Sequence, residues 1–236
     1  MLRKTLVVNP EAAAANMNYR KYLSEIIGTF ALVFCGTGAI VINQQAGGVI
    51  THIGIAMTFG LIVSAMIFAL GDVSGAHMNP AVTLAFAMAK RFPMNKVLPY
   101  IGSQAIGAFV ASGLLKLLFP TNQLLGATMP AGSELQSFIL EVILTLILVM
   151  VIFNVSTGSK EKGITAAIAI GGTVGLEALF AGPICGASMN PIRSLSPAIV
   201  SMHTEHLWIY IAGPFAGALL GLLIHKILYS KTEKEV

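Results

Sequence analysis

The chain has 236 residues, of which 56% are hydrophobic and only 10% charged, with a formal net charge of +4. A soluble domain carries about 25% charged residues, so this composition excludes an ordinary water-facing fold and implies a protein embedded in a lipid bilayer. The basic residues stand in short clusters between apolar runs, with no basic face or aromatic interleaving, which argues against a nucleic-acid partner.

The opening segment holds Arg3, Lys4, Glu11, Arg20 and Lys21 and has no clear cleavage site, so it does not read as a secretory leader. A first apolar run lies near 20–43, with Glu25 inside it, and a second near 51–71. The pattern then breaks at Ser74-Gly75-Ala76-His77-Met78-Asn79-Pro80, and about ten apolar residues follow at 80–89. Further runs lie near 97–119, 134–156 (with Glu141 inside it) and 163–182. A second break, Cys185-Gly186-Ala187-Ser188-Met189-Asn190-Pro191, leads into 191–200, and a last run occupies 206–229. The six long runs reach the roughly 20 residues that a 30 Å hydrocarbon core requires. Ten helical residues rise only about 15 Å and cannot cross alone. Non-helical backbone at that depth is tolerated only where it is buried in protein or lines a wet cavity, so paired broken segments mark the site of action. The expectation is an all-α membrane protein of six transmembrane helices and two re-entrant half-helices.

The two breaks are copies. Ser74–Asn79 align with Cys185–Asn190 at an offset of 111, Tyr100-Ile101 and Gly107-Ala108 with Tyr210-Ile211 and Gly217-Ala218 at 110, and Glu25 and Thr29 with Glu141 and Thr145 at 116. This describes a single channel domain built from half one, 20–119, and half two, 134–229. Each half holds three spans, an odd number, so the second copy is inverted relative to the first. Lys and Arg set the orientation. Arg3, Lys4, Arg20, Lys21, Lys90, Arg91, Lys96, Lys160, Lys162, Lys226, Lys231 and Lys234 all fall on one side if six spans cross, whereas 44–50 and 120–133 carry none. Both termini are therefore expected in the cytoplasm. Lys116 near a helix end can snorkel; Arg193 fits no such explanation.

Each Asn-Pro pair is a helix start: Pro is favoured at the first helical position and Asn directly before it is a strong cap. The half-helices from Asn79-Pro80-Ala81 and Asn190-Pro191-Ile192 then aim their positive dipole ends at the bilayer centre. With the Asn backbones held by capping, the side-chain amides are expected to be free to donate into a pore. The carbonyls of Gly75, Ala76, His77, Cys185 and Gly186 are expected to line the path as acceptors. Glu25 and Glu141 are too costly to leave unpaired in apolar runs, and their duplicated placement suits a support role for the loop of their own half. Glu177 reads as a residue near the outer interface. His77 could gate by pH, but a hydrogen-bonded structural role fits it better. Gly213, Gly217 and Gly221, four apart, suit close packing within one chain. Cys35 and Cys185 lack any CxxC spacing, so no metal, redox site or other cofactor is implied.

These motifs resemble the aquaporin (major intrinsic protein) family over essentially the whole chain. Asn79-Pro80-Ala81 matches the first family signature. Asn190-Pro191-Ile192 matches the second, with Ile where Ala is usual, and is followed by the family's Arg as Arg193. The resemblance implies a passive pore in each protomer, a homotetramer in a cell membrane, and an outer selectivity filter at Phe59, Ala178, Ala187 and Arg193. Water-selective relatives carry His at the position of Ala178, so two alanines imply a wider, more apolar opening. The run 181–191 is most similar to the nodulin-like branch and its bacterial relatives, which implies water, glycerol, urea or neutral metalloid hydroxides as solutes. A strict water channel is the main alternative. A proton-coupled transporter would need a titratable pair along the path, and an enzyme using Asp72 and His77 would lack a nucleophile or metal-ligand cluster.

Overall fold

The computed structural model describes residues 10–156 and 164–229. Eight α-helices account for most of them: α1 Pro10–Gln45, α2 Thr51–Ser74, α3 Pro80–Met88, α4 Val97–Leu118, α5 Glu134–Val155, α6 Ile164–Cys185, α7 Pro191–Ser201 and α8 Leu207–Tyr229. Six of these (all but α3 and α7) contain a stretch long and apolar enough to cross a membrane. α3 and α7 have 9 and 11 residues, too short to cross. The fold is the all-helical one read from the sequence. Arg3, Lys4, Lys160, Lys162, Lys231 and Lys234 lie outside the described residues.

The packing repeats itself. α1 packs on α4, and α5 packs on α8 in the corresponding way, while α2 and α6 meet each other. Gly107 on α4 lies against the backbone of α1, where a methyl group would overlap the Ile26 carbonyl; Gly217 on α8 meets the Val142 carbonyl of α5 likewise. Gly213, Gly217 and Gly221 all face α5 within the chain. Such small residues let helix backbones approach closely, which in lipid supplies the van der Waals contact that drives association.

Several helix limits differ from the sequence reading; α2, for one, ends at Ser74 rather than near 71. α1 begins at Pro10 rather than near 20, because the alanine-rich stretch before the apolar run, strong in helix propensity, continues the helix. α6 runs on to Cys185, through Pro183. Proline cannot donate to the carbonyl four residues back, and here His52 Nε2 takes that Leu179 carbonyl at 2.6 Å. A side chain from α2 thus replaces the missing helix bond.

Candidate pore

α3 and α7 start at their asparagines. Asn79 Oδ1 accepts from Ala81 N at 2.9 Å, and Asn190 Oδ1 accepts from Ile192 N at 3.2 Å and Arg193 N at 3.4 Å. The amides are not wholly free, as the sequence reading had them. Asn79 Nδ2 donates to Met189 O at 2.7 Å, and Asn190 Nδ2 donates to Met78 O at 2.8 Å. Each Asn therefore braces the loop of the opposite half with one amide proton. Its second proton remains to donate elsewhere.

The loops entering these helices share an unusual backbone. Gly75, Ala76 and Met78 have φ of 88°, 46° and 50°; Gly186, Ala187 and Met189 have 83°, 42° and 53°. Left-handed φ costs a non-glycine residue about 1–2 kcal/mol, so something must hold it. Glu25 Oε1 accepts from His77 N at 2.9 Å and Oε2 from Met78 N at 2.8 Å. Glu141 Oε1 accepts from Ser188 N at 2.7 Å and Oε2 from Met189 N at 2.8 Å. Each such charge-assisted bond contributes about 1.5–3 kcal/mol, enough to offset the strain.

The supports are not identical. Glu25 also accepts from Ser74 Oγ at 2.8 Å and Gln104 Nε2 at 2.8 Å. At the position matching Gln104, half two has Pro214, which offers no donor. Ser74 Oγ accepts from Ala76 N at 3.0 Å, and Cys185 Sγ accepts from Ala187 N at 3.4 Å in the matching place. Cys185 is fully buried, and both cysteines are unpaired.

A cavity of about 160 Å³ runs along the loops and reaches both asparagines. That is room for several waters. Phe59, Val63, Ile67, Val82, Phe86, Ile170 and Val174 form its apolar wall. Gly75 to Asn79 and Ala187 to Asn190 form its polar one, and Arg193 lies at the Phe59 end. A second cavity of about 490 Å³ shares Gly75, His77, Phe86 and Ser156 with the first and continues past Asp72, Lys21, Lys96 and Arg91. The Arg193 guanidinium stands 4.8 Å above the Phe59 ring, and its Nη1 donates to Gly126 O at 3.0 Å.

Residues 12–225 match the family model described as Major intrinsic protein. The chain belongs to the major intrinsic protein family. It is 47% identical over 210 residues to Aquaporin NIP1-1 of Oryza sativa subsp. japonica, covering 89% of this chain and 74% of that protein. It is 42% identical over 210 residues to Nodulin-26 of Glycine max, covering 89% and 78%. The solved aquaglyceroporin from Plasmodium falciparum is similar in fold, with a TM-score of 0.75 at 26% identity, over 91% of this chain and 96% of that one. The chain thus stands among the nodulin-26-like aquaporins.

Against that family pattern, Phe59, Ala187 and Arg193 come together along the cavity. Ala178, 7% exposed, does not line the cavity; it lies in the buried apolar cluster that also holds Phe59 and Val174. Gly75, Ala76 and His77 line the cavity; Cys185 and Gly186 do not, and Ala187 and Ser188 stand there instead. The physical reason is the half-two turn: Cys185 closes α6 with its thiol turned onto its own helix, toward Ala181 O at 3.5 Å. Ile192, 3% exposed, is absorbed by an apolar cluster with Val33, Ala108 and Ala111, so the extra bulk has its own niche between α1 and α4. His77 Nδ1 sits 3.2 Å from Thr83 Oγ1 and its ring stacks on Phe86. The sequence reading missed Gln104, a polar residue inside an apolar run. It also missed the loop 119–133, whose composition gave no sign that it reaches Arg193. Glu177 was placed near the outer interface; it is 2% exposed and its carboxyl has no hydrogen-bond partner among the described residues.

Proposed function

We propose that the chain is a passive transmembrane channel for water and small uncharged solutes of the glycerol and urea kind, neutral metalloid hydroxides included, and that it excludes protons and ions. The observation that carries this reading is the cavity between two half-helix N-termini, apolar on one side and carrying Asn79, Asn190 and a row of loop residues on the other. A small polyhydroxy solute can lay its carbon edge on Phe59, Val63 and Val174 while its hydroxyls meet the amides and carbonyls. The dipole ends of α3 and α7, with the fixed charge of Arg193, oppose cations. Each Asn amide donates to a passing oxygen and thereby interrupts a proton-conducting chain. The names of the relatives support the same class. Phe59, Ala178, Ala187 and Arg193 form the outer filter in this reading, with both termini cytoplasmic and four protomers assembled in a cell membrane.

Stopped-flow light scattering on reconstituted vesicles tests it. Water and glycerol fluxes above those of empty vesicles, with no accompanying proton movement, are expected. Water flux without glycerol, urea or boric acid flux would establish the strict water channel instead.

A further inference from the structure

The segment 119–133, between α4 and α5, is not a surface loop in the usual sense. Asn122 is 7% exposed and Leu125 fully buried. Asn122 Oδ1 accepts from Leu125 N at 2.7 Å, its Nδ2 donates to Gln44 Oε1 at 2.8 Å, and its own N donates to Phe119 O at 3.1 Å. An Asn bonded to backbone a few residues on is a turn-forming device. The turn it closes forces Leu125 and Gly126 to φ of 50° and 74°. Leucine does not adopt that region unaided. Gly126 is pressed onto α1: a Cβ there would stand 2.7 Å from Thr37 Cβ and 2.9 Å from Thr37 O. Carbonyl direction at Gly126 is thus fixed from both sides. That carbonyl holds Arg193 Nη1 at 3.0 Å, while Arg193 Nε is buried without a hydrogen-bond partner among the described residues.

We propose that Asn122 is a positioning residue for the pore: it sets the direction of the Arg193 guanidinium by shaping the turn whose Gly126 carbonyl anchors it. The proposal rests on the reading of Arg193 as a filter residue. Asn122 does not line the cavity. It acts through Leu125 and Gly126 on a cation that has few other restraints, the Phe59 ring being one. Loss of the anchor lets the guanidinium sample positions across the opening, which obstructs the larger solute more than water.

The test compares wild type, Asn122→Ala, Asn122→Asp and Gln44→Ala in vesicles, reading the ratio of glycerol to water permeability. Asp keeps the acceptor for Leu125 N but cannot donate to Gln44. Asn122→Ala is expected to lower the ratio on the order of fivefold, the population shift that one net hydrogen bond supports, and Asn122→Asp, which loses only the tie to Gln44, to lower it less. Gln44→Ala, on an exposed side chain, removes only the outer tie and is expected to lower the ratio less; it serves if Asn122→Ala does not assemble. An unchanged or raised ratio in Asn122→Ala, or in Gln44→Ala where that stands in, overturns the proposal, as does an equal fall in Asn122→Asp. On an Arg193→Ala background the Asn122 substitution should change nothing; a further change overturns it too. A wild type that conducts neither water nor glycerol removes the channel reading itself, and this proposal with it.

Discussion

Glu25 and Glu141 show how two copies of one residue can diverge in what supports them. Replacing either by Gln turns one carboxylate oxygen into an NH₂ that faces a loop N–H, and an unsatisfied buried donor costs about 1–3 kcal/mol. In half one, Gln104 can turn its amide, whose Oε1 is buried without a partner among the described residues, to accept from the new NH₂. In half two Pro214 occupies that place. Glu141→Gln is therefore expected to lower the unfolding temperature in detergent more than Glu25→Gln does; equal or reversed losses would refute the asymmetry. The filter offers a second residue-scale prediction. Ala178 belongs to the same buried cluster as Phe59, and in the filter reading an imidazole there narrows the opening. Ala178→His is expected to cut glycerol flux more than water flux in stopped-flow measurements, and an equal loss of both would mean that position 178 is not in the filter. The sequence revealed these residues through their repetition: Glu25 and Glu141 recur at a fixed offset, and so do Asn79 and Asn190. Gln104 and Asn122 have no counterpart in the other half, and what is not repeated carries no signal of that kind.

Among the elements, the half-helices were legible because their starts are chemical. Asn before Pro is a cap before a helix first turn, whatever surrounds it. The end of α6 was not legible, because Pro183 ordinarily closes a helix and the bond that rescues it joins Leu179 O to His52, 127 residues apart in sequence. Close packing within the chain was legible from glycine spacing, though the partner helix was not, and it is here that packing can be tested. Gly217 sits against the Val142 carbonyl and within 3.0 Å of Leu146 N by the reach of a single added carbon. Gly217→Leu must push α8 off α5, the helix that carries Glu141. Overpacking of this kind costs about 1–3 kcal/mol. The variant is expected to melt at lower temperature and to lose water flux, since Glu141 then no longer meets Ser188 and Met189 squarely. A variant as stable and as conductive as wild type would show that α5 and α8 are not held by this contact.

On the scale of the whole molecule, the question is whether one chain suffices for one pore. α1 buries 56% of its apolar window within the chain, while α2 and α6 bury only 22% and 33%. α2 leaves Ile53, Met57, Leu61 and Phe68 uncovered, and α6 leaves Ile168, Leu176 and Phe180. In lipid such faces need no protein partner, because acyl chains are as apolar as leucine; they can face bilayer or neighbouring protomers equally well. The tetramer therefore rests on the family resemblance, and native mass spectrometry from mild detergent is expected to give four copies. The conduction path has a separate, stronger argument. The residues of one chain already surround a cavity that extends from Phe59 and Arg193 past both asparagines to His77. Assembly can then stabilise protomers without creating the pore. If wild-type chains are co-reconstituted with chains blocked by Ala178→Trp, water flux should fall in proportion to the blocked fraction. A fall as a higher power of that fraction would place the conducting path between chains and overturn the assignment of the cavity.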